Sequence, residues 1–228
     1  ATSWGPKMDG TPYYQFYDEK RGIGLDQNGL RVKTPFVSYG NWFKDYFKTG
    51  WTTTNSLSLS AKLNRNNSMR LSISDTRSES ITPNSPAMRQ SIKLNSHNKV
   101  NNWLSMNTSI TYYRRDCDNL PQMGYGQASV MYSLWCMAPN INMDWARDYW
   151  IDPGVQQNAN LTGAKNNPYF VAYECLNTLD RDRIFGNTSL DLHLYKGLDL
   201  MLRGGIDFSR DHRTMRQPKS SYSQRYGM

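Results

Sequence analysis

The stretch SLDLHLYKGLDLMLRGGIDFSRD, Ser189 to Asp211, alternates apolar and polar residues with one interruption at Lys196-Gly197. Leu190, Leu192 and Leu194 recur at every second position, and so do Leu198, Leu200, Leu202, Gly204, Ile206 and Phe208. A helical period would scatter these residues, whereas an extended chain puts them on one face. The other face carries Asp191, His193 and Tyr195, then Asp199, Met201, Arg203, Asp207 and Ser209. The pattern predicts a β-hairpin with one apolar and one mainly polar face, turning at Lys196-Gly197. Its second arm alternates for about 11 residues, where an ordinary strand has about 5 or 6; that length suits a tilted strand crossing a bilayer.

Two more hairpins follow the same rule upstream. TTTNSLSLSAKLN sets Leu57, Leu59, Ala61 and Leu63 against Ser56, Ser58, Ser60, Lys62 and Asn64. After the turn-rich RNNS, MRLSISD alternates Met69, Leu71 and Ile73 with Arg70, Ser72 and Ser74, which predicts the return strand. QSIKLNSHNKVNNWLSMNTSITYYRRD repeats the layout: Ile92 and Leu94, a turn around Asn98 to Asn102, then Leu104, Met106, Thr108, Ile110 and Tyr112. Both later hairpins carry a Lys in the turn and leave through arginines, at Arg114-Arg115 and between Arg210 and Arg213. Such recurrence marks one architectural unit used repeatedly.

The connections are uneven. Turns within hairpins hold a few residues, SESITPNSP is longer, and the link from Asp116 to about Asp180 runs to roughly 65, far beyond an ordinary loop. Short turns at one end and long loops at the other predict an all-β fold: antiparallel up-and-down strands forming part of a large transmembrane β-barrel, with long extracellular loops and short helical pieces. The competing architecture is a soluble β-sandwich, in which one face of each sheet packs a core. Long strands, an opposite face rich in Ser, Asn, Asp, Lys and Arg, and aromatics near strand ends (Trp103, Tyr112, Tyr113, Phe208) favour the barrel. On this basis 1–51 is a loop and rim segment, 52–115 two hairpins, 116–180 a long extracellular loop, 181–211 a hairpin and 212–228 the start of a further loop.

Composition narrows the partners. The 228 residues carry a net charge of +8, yet Lys and Arg are spread along the chain, and neither an RNP-like aromatic signature nor a zinc-finger spacing accompanies them, so nucleic acid is not an expected partner. No apolar run approaches the roughly 18 residues of a membrane helix. The opening ATSWGPKMDG lacks the basic start and apolar core of a signal peptide, so Ala1 is expected to begin a fragment or a mature piece. Cys117, Cys136 and Cys175 match no short zinc-ligand spacing; an odd number leaves at least one thiol unpaired, with a single disulfide open.

The ordered series of motifs resembles the SusC-like, or SusC/RagA, family of TonB-dependent outer-membrane transporters known from Bacteroidetes. SWGPKMDG at Ser3 to Gly10 is similar to the family's Ser-Trp-Gly-Pro followed by Asp-Gly. NWFKDYFKTGWTTTNSLSLS at Asn41 to Ser60, RLSISDTRSESITPNSPAMRQSIKLN at Arg70 to Asn95, NNPYF at Asn166 to Phe170 and DRDRIFGN at Asp180 to Asn187 continue in the expected order. The resemblance implies a barrel of about 22 strands around a plug, of which this chain supplies about six strong strands and cannot close the barrel alone. Plug, TonB-contacting segment and closing strand are expected to lie outside it. The resemblance also implies import of a glycan or peptide, a SusD-like surface lipoprotein as lid, energy from the TonB complex, and outer-membrane lipid around the wall. A passive porin is the alternative transporter, and a carbohydrate-binding soluble sandwich the alternative from another class.

Nothing in the sequence points to catalysis, a cofactor or a metal. His97, His193 and His212 are isolated, there is no GxSxG, Walker or HExxH pattern, and GIGLDQNG departs from both the dinucleotide and the EF-hand fingerprints. His193, on the polar face of its strand, suits a lumenal hydrogen bond. Binding is the better-supported chemistry. Tyr125, Tyr132, Trp135, Trp145, Tyr149 and Trp150 lie in the long loop and are the candidate substrate- or partner-binding residues. The other role open to them is the loop's own core, helped by a helix near Ala128 to Met137 on which Val130, Leu134 and Met137 share a face. In WFKDYF, Trp42, Phe43, Tyr46 and Phe47 are at helical spacing, which predicts a short helix pressed on a barrel rim or membrane interface.

Overall fold

The computed structural model describes residues 5–162 and 165–222. Ser3 and Trp4 of SWGPKMDG, and the last residues of the segment 212–228, lie outside the described residues. Six long strands form one antiparallel sheet: β1 (Trp51–Lys62), β2 (Asn67–Glu79), β3 (Pro86–Lys99), β4 (Leu104–Cys117), β5 (Asn177–Tyr195) and β6 (Leu198–Met215). Each pairs with its neighbour in sequence, so the sheet is an up-and-down meander, mostly antiparallel as the alternating ladders predict.

Register puts the apolar ladders in line. Leu57 faces Ile73, Ile73 faces Ile92, Ile92 faces Tyr112, Tyr112 faces Ile184 and Ile184 faces Phe208. One step nearer the turns, Leu59, Leu71, Leu94, Ile110, Gly186 and Ile206 form a second row. The opposite face carries rows of hydroxyls, amides and charges. On it Ser56 and Ser58 meet Ser74 and Ser72 at 3.0 Å. Because side chains alternate with a period of two, this register keeps the ladders on their own faces as far as the last turn, where a shift brings Tyr195 opposite Leu198.

Within the hairpins, the expected turn at Lys196-Gly197 is present. Gly197 sits at φ +84, where a side chain is strained, and a bulge between Leu198 and Asp199 accompanies it. The strands outrun the hydropathy pattern: β5 has 19 residues and β6 has 18, and β6 continues past Asp211 to Met215. At that end both faces are polar, so alternation vanishes. Pairing persists through cross-strand ion pairs such as Arg181 with Asp211 and Arg183 with Asp207.

The apolar face has no second layer over it: among the described residues the remaining sheets are two-stranded. Leu59, Ile92, Ile110, Leu202, Ile206 and Phe208 are all exposed on it. Buried apolar side chains gather instead at the loop end of the sheet, in a compact unit built from the loop after β4 and from the N-terminal segment. Four short helices contribute: α1 (Trp42–Tyr46), α2 (Val130–Cys136), α3 (Met143–Arg147) and α4 (Pro168–Glu174). Val130, Leu134 and Met137 are buried together as their spacing predicts, around fully buried Phe170.

Helix α1 packs on this unit, giving the WFKDYF segment a protein neighbour: the Trp42 indole N–H donates to the Leu134 carbonyl at 3.1 Å, and Tyr46 is buried at the centre. The NNPYF motif acquires a local cause. Asn167 caps α4 by accepting from the Tyr169 N–H at 2.9 Å, Pro168 occupies the first turn where no N–H is needed, and Phe170 enters the core. Buried Asn166 donates to the Gln127 carbonyl and accepts from Gln157 Nε2 and the Tyr222 N–H, each at 2.8 Å, which ties the segment after β6 to the unit.

Candidate functional site

The six loop aromatics separate into two groups. Tyr132 and Trp135 lie on the outward side of α2, whose first turn is capped by Ser129 accepting from the Tyr132 N–H. Gly124, at φ +96, turns the preceding chain so that the Tyr125 ring stands 6.4 Å from Tyr132 and 5.9 Å from Trp135. Tyr125 is 80 % exposed and Trp135 66 %. Exposed Met131 and the Lys165 ammonium, 5.5 Å over the Tyr132 ring, border the cluster. Three rings at right angles or tilted, with a cation and a methionine beside them, form an open apolar surface suited to stacking or to anchoring a partner.

Trp145, Tyr149 and Trp150 turn inward against the core. Trp145 contacts Phe16 at 5.6 Å and Tyr39 at 4.9 Å, joining the N-terminal segment to α3. Trp150 meets Phe170 edge-on at 5.2 Å. Tyr149 donates to Glu174 Oε1 at 3.0 Å, and its ring lies parallel to Tyr173 at 6.0 Å. Burial, helped by Glu174, pushes its phenol up to about 12, so it stays a neutral donor. Tyr149 and Tyr173 do border a cleft of about 460 Å³ with Asp45, Lys48 and Arg147. Sequence spacing could not separate the two groups, because all six residues share a chemistry and only tertiary packing sorts them.

The polar face of the sheet supplies a second candidate surface. His97 Nδ1 lies 2.6 Å from Asn107 Oδ1, and Asn107 Nδ2 donates to Asp191 at 3.0 Å, a chain of hydrogen bonds across three strands. His193 is paired with Asp199 at 2.5 Å, in keeping with its expected hydrogen-bonding place. Ser60, Lys62, Arg70, Asn95, His97 and Asn187 line a shallow cleft of about 500 Å³ there. The Asn107–Asp191 bond joins strands far apart in sequence and became visible only with the register.

Among the described residues no group of three or more His, Cys, Asp or Glu is placed to hold a metal ion, and all three cysteines are free. Burial pushes the Cys175 thiol up to about 12, whereas Cys136 is exposed beside Trp135.

No protein-family model and no curated protein matches the chain. Solved structures do. The RagAB peptide importer in its closed-closed state aligns with a TM-score of 0.60 and 21% identity over 83% of this chain and 21% of that chain. Its open-open state aligns with a TM-score of 0.58 and 19% identity over 94% of this chain and 22% of that one. The chain therefore spans about a fifth of the length of these neighbours, and at this identity the likeness is one of fold.

Proposed function

We propose that this chain is a wall segment of a SusC-like outer-membrane transporter that imports an oligomeric nutrient, a peptide or a glycan. The observation carrying this reading is the unopposed apolar face of a meander whose other face is polar. In water such a surface invites aggregation, and in lipid it is already solvated. The apolar band of β6, Leu198 to Phe208, spans about 33 Å along the strand, or about 25 Å of height once tilted by about 40°. Leucines and isoleucines then meet lipid, the polar rows line the lumen, the turn at Lys196-Gly197 is periplasmic, and the aromatic unit is extracellular.

In this reading the exposed Tyr125 and Trp135, with the half-buried Tyr132, contact the solute or a SusD-like lipoprotein lid, and TonB drives transport through parts of the transporter beyond this chain. The fold shared with a peptide importer supports an oligomeric cargo. The competing transporter is a passive porin. Uptake of fluorescent oligopeptides and oligosaccharides by cells carrying the full-length protein separates them. Flux should stop when the proton-motive force is collapsed, and continued flux would make the channel a passive one.

A further inference from the structure

Arginines from three strands converge at the loop end of the sheet. Across neighbouring strands on the polar face, Arg89 of β3 is opposite Arg115 of β4, and Arg115 is opposite Arg181 of β5. Like charges directly opposed on adjacent strands repel, and a nearby anion would offset that cost. Arg181 has its partner: Asp211 lies opposite and accepts from Nε at 2.6 Å and from the neighbouring guanidinium nitrogen. Asp211 also serves Arg213 at 3.4 Å, and Asp207 is taken by Arg183. Neither Arg89 nor Arg115 has a hydrogen bond or ion pair among the described residues. The other face at the same height is balanced, with Arg114 between Asp116 at 3.6 Å and Asp180 at 3.9 Å, and Arg77 on Asp75 at 3.2 Å.

We infer that Arg89 and Arg115 form a binding site for carboxylate groups of the transported solute. The inference rests on the lumenal assignment of the polar face made above. The row lies two residue pairs below Cys117 and Leu179, which are buried where the loop unit meets the sheet, so a solute passing that unit meets it early. The carboxylate preference follows from the geometry already present: Arg181 and Asp211 dock fork to fork, and two further forks stand alongside, one strand spacing apart, with no carboxylate of their own. Repeated carboxylates along an acidic oligomer would meet that spacing.

The test uses the full-length protein in nanodiscs and four probes: pentaglutamate, pentaglutamine, a trigalacturonate and its neutral galactose counterpart. Wild type should prefer the acidic member of a pair, and which pair shows the preference identifies the source of the carboxylate. R89Q/R115Q should bind that acidic probe roughly tenfold to a hundredfold more weakly, with the neutral probe unchanged. R89K/R115K keeps the charge without the fork and should fall between. Equal weakening of acidic and neutral probes, or no acidic preference in wild type, overturns the site. So does a melting temperature of unliganded R89Q/R115Q that falls while the acidic preference survives, because the row then pairs with a carboxylate of the protein itself. Driven uptake without acidic preference would refute the arginine site alone; acidic preference without driven uptake would refute the transport reading alone.

Discussion

Gly186 shows how narrowly single residues fix this sheet. It belongs to the apolar face, yet a Cβ there would stand 2.6 Å from the Ser109 carbonyl oxygen and 3.1 Å from the Ile110 Cα, both backbone atoms with little room to yield. Strands β4 and β5 approach closely at this point because the side chain is missing. Gly186→Ala should therefore cost about 1–3 kcal/mol, measured as thermal unfolding of the detergent-solubilised protein. An unchanged midpoint would mean that the close approach is relieved by a small shift of β4. The glycine sits within DRDRIFGN, a stretch whose chemistry becomes clear in register. Asp180 and Asp182 turn to the apolar side, where Arg114 and the Tyr112 hydroxyl meet them, while Arg181 and Arg183 turn to the polar side to meet Asp211 and Asp207. In sequence the four charges alternate in sign without revealing that each sign owns a face.

At the scale of elements, the hairpins were legible because a period of two survives wherever one face is apolar and the other polar. Legibility ended where both faces became polar: the stretches Asp180–Arg183 and Ser209–Met215 pair through charges, which hydropathy does not register. The docking of α1 on the loop unit was hidden for another reason. Trp42 and Leu134 are far apart in the chain, and no local pattern announces a contact at that separation. The six candidate aromatics divide for the same cause, and the division makes a prediction. Trp150→Ala removes a ring packed on Phe170 and should destabilise the protein by roughly 3 kcal/mol, whereas Trp135→Ala should change stability by about 0.5 kcal/mol or less and weaken solute uptake or lid association. Equal losses of stability would return Trp135 to the core. The strands carry a parallel contrast. Leu202→Arg, near the middle of the apolar band of β6, should impair assembly by about 2–4 kcal/mol, while Met201→Arg, one residue away on the polar face, should cost less than about 1 kcal/mol. Folded-to-unfolded ratios on semi-native gels measure both.

For the whole molecule, one proposal organises everything else: that the two faces of the meander would see two different solvents. The exposed apolar surface, the polar network of His97, Asn107 and Asp191, the cationic row of Arg89 and Arg115, and the aromatic cluster at the loop end all acquire their roles from it. The measurement that tests it most directly is a spin-label scan of single cysteines from Leu198 to Phe208 in the full-length, cysteine-free protein in nanodiscs, recording collisions with oxygen and with a water-soluble nickel chelate. Labels at 198, 200, 202, 204, 206 and 208 should favour oxygen, and labels at 199, 201, 203, 205 and 207 the nickel reagent, an alternation with a period of two. Uniform access of the nickel reagent at every position, as for a sheet bathed in water on both sides, would contradict the account.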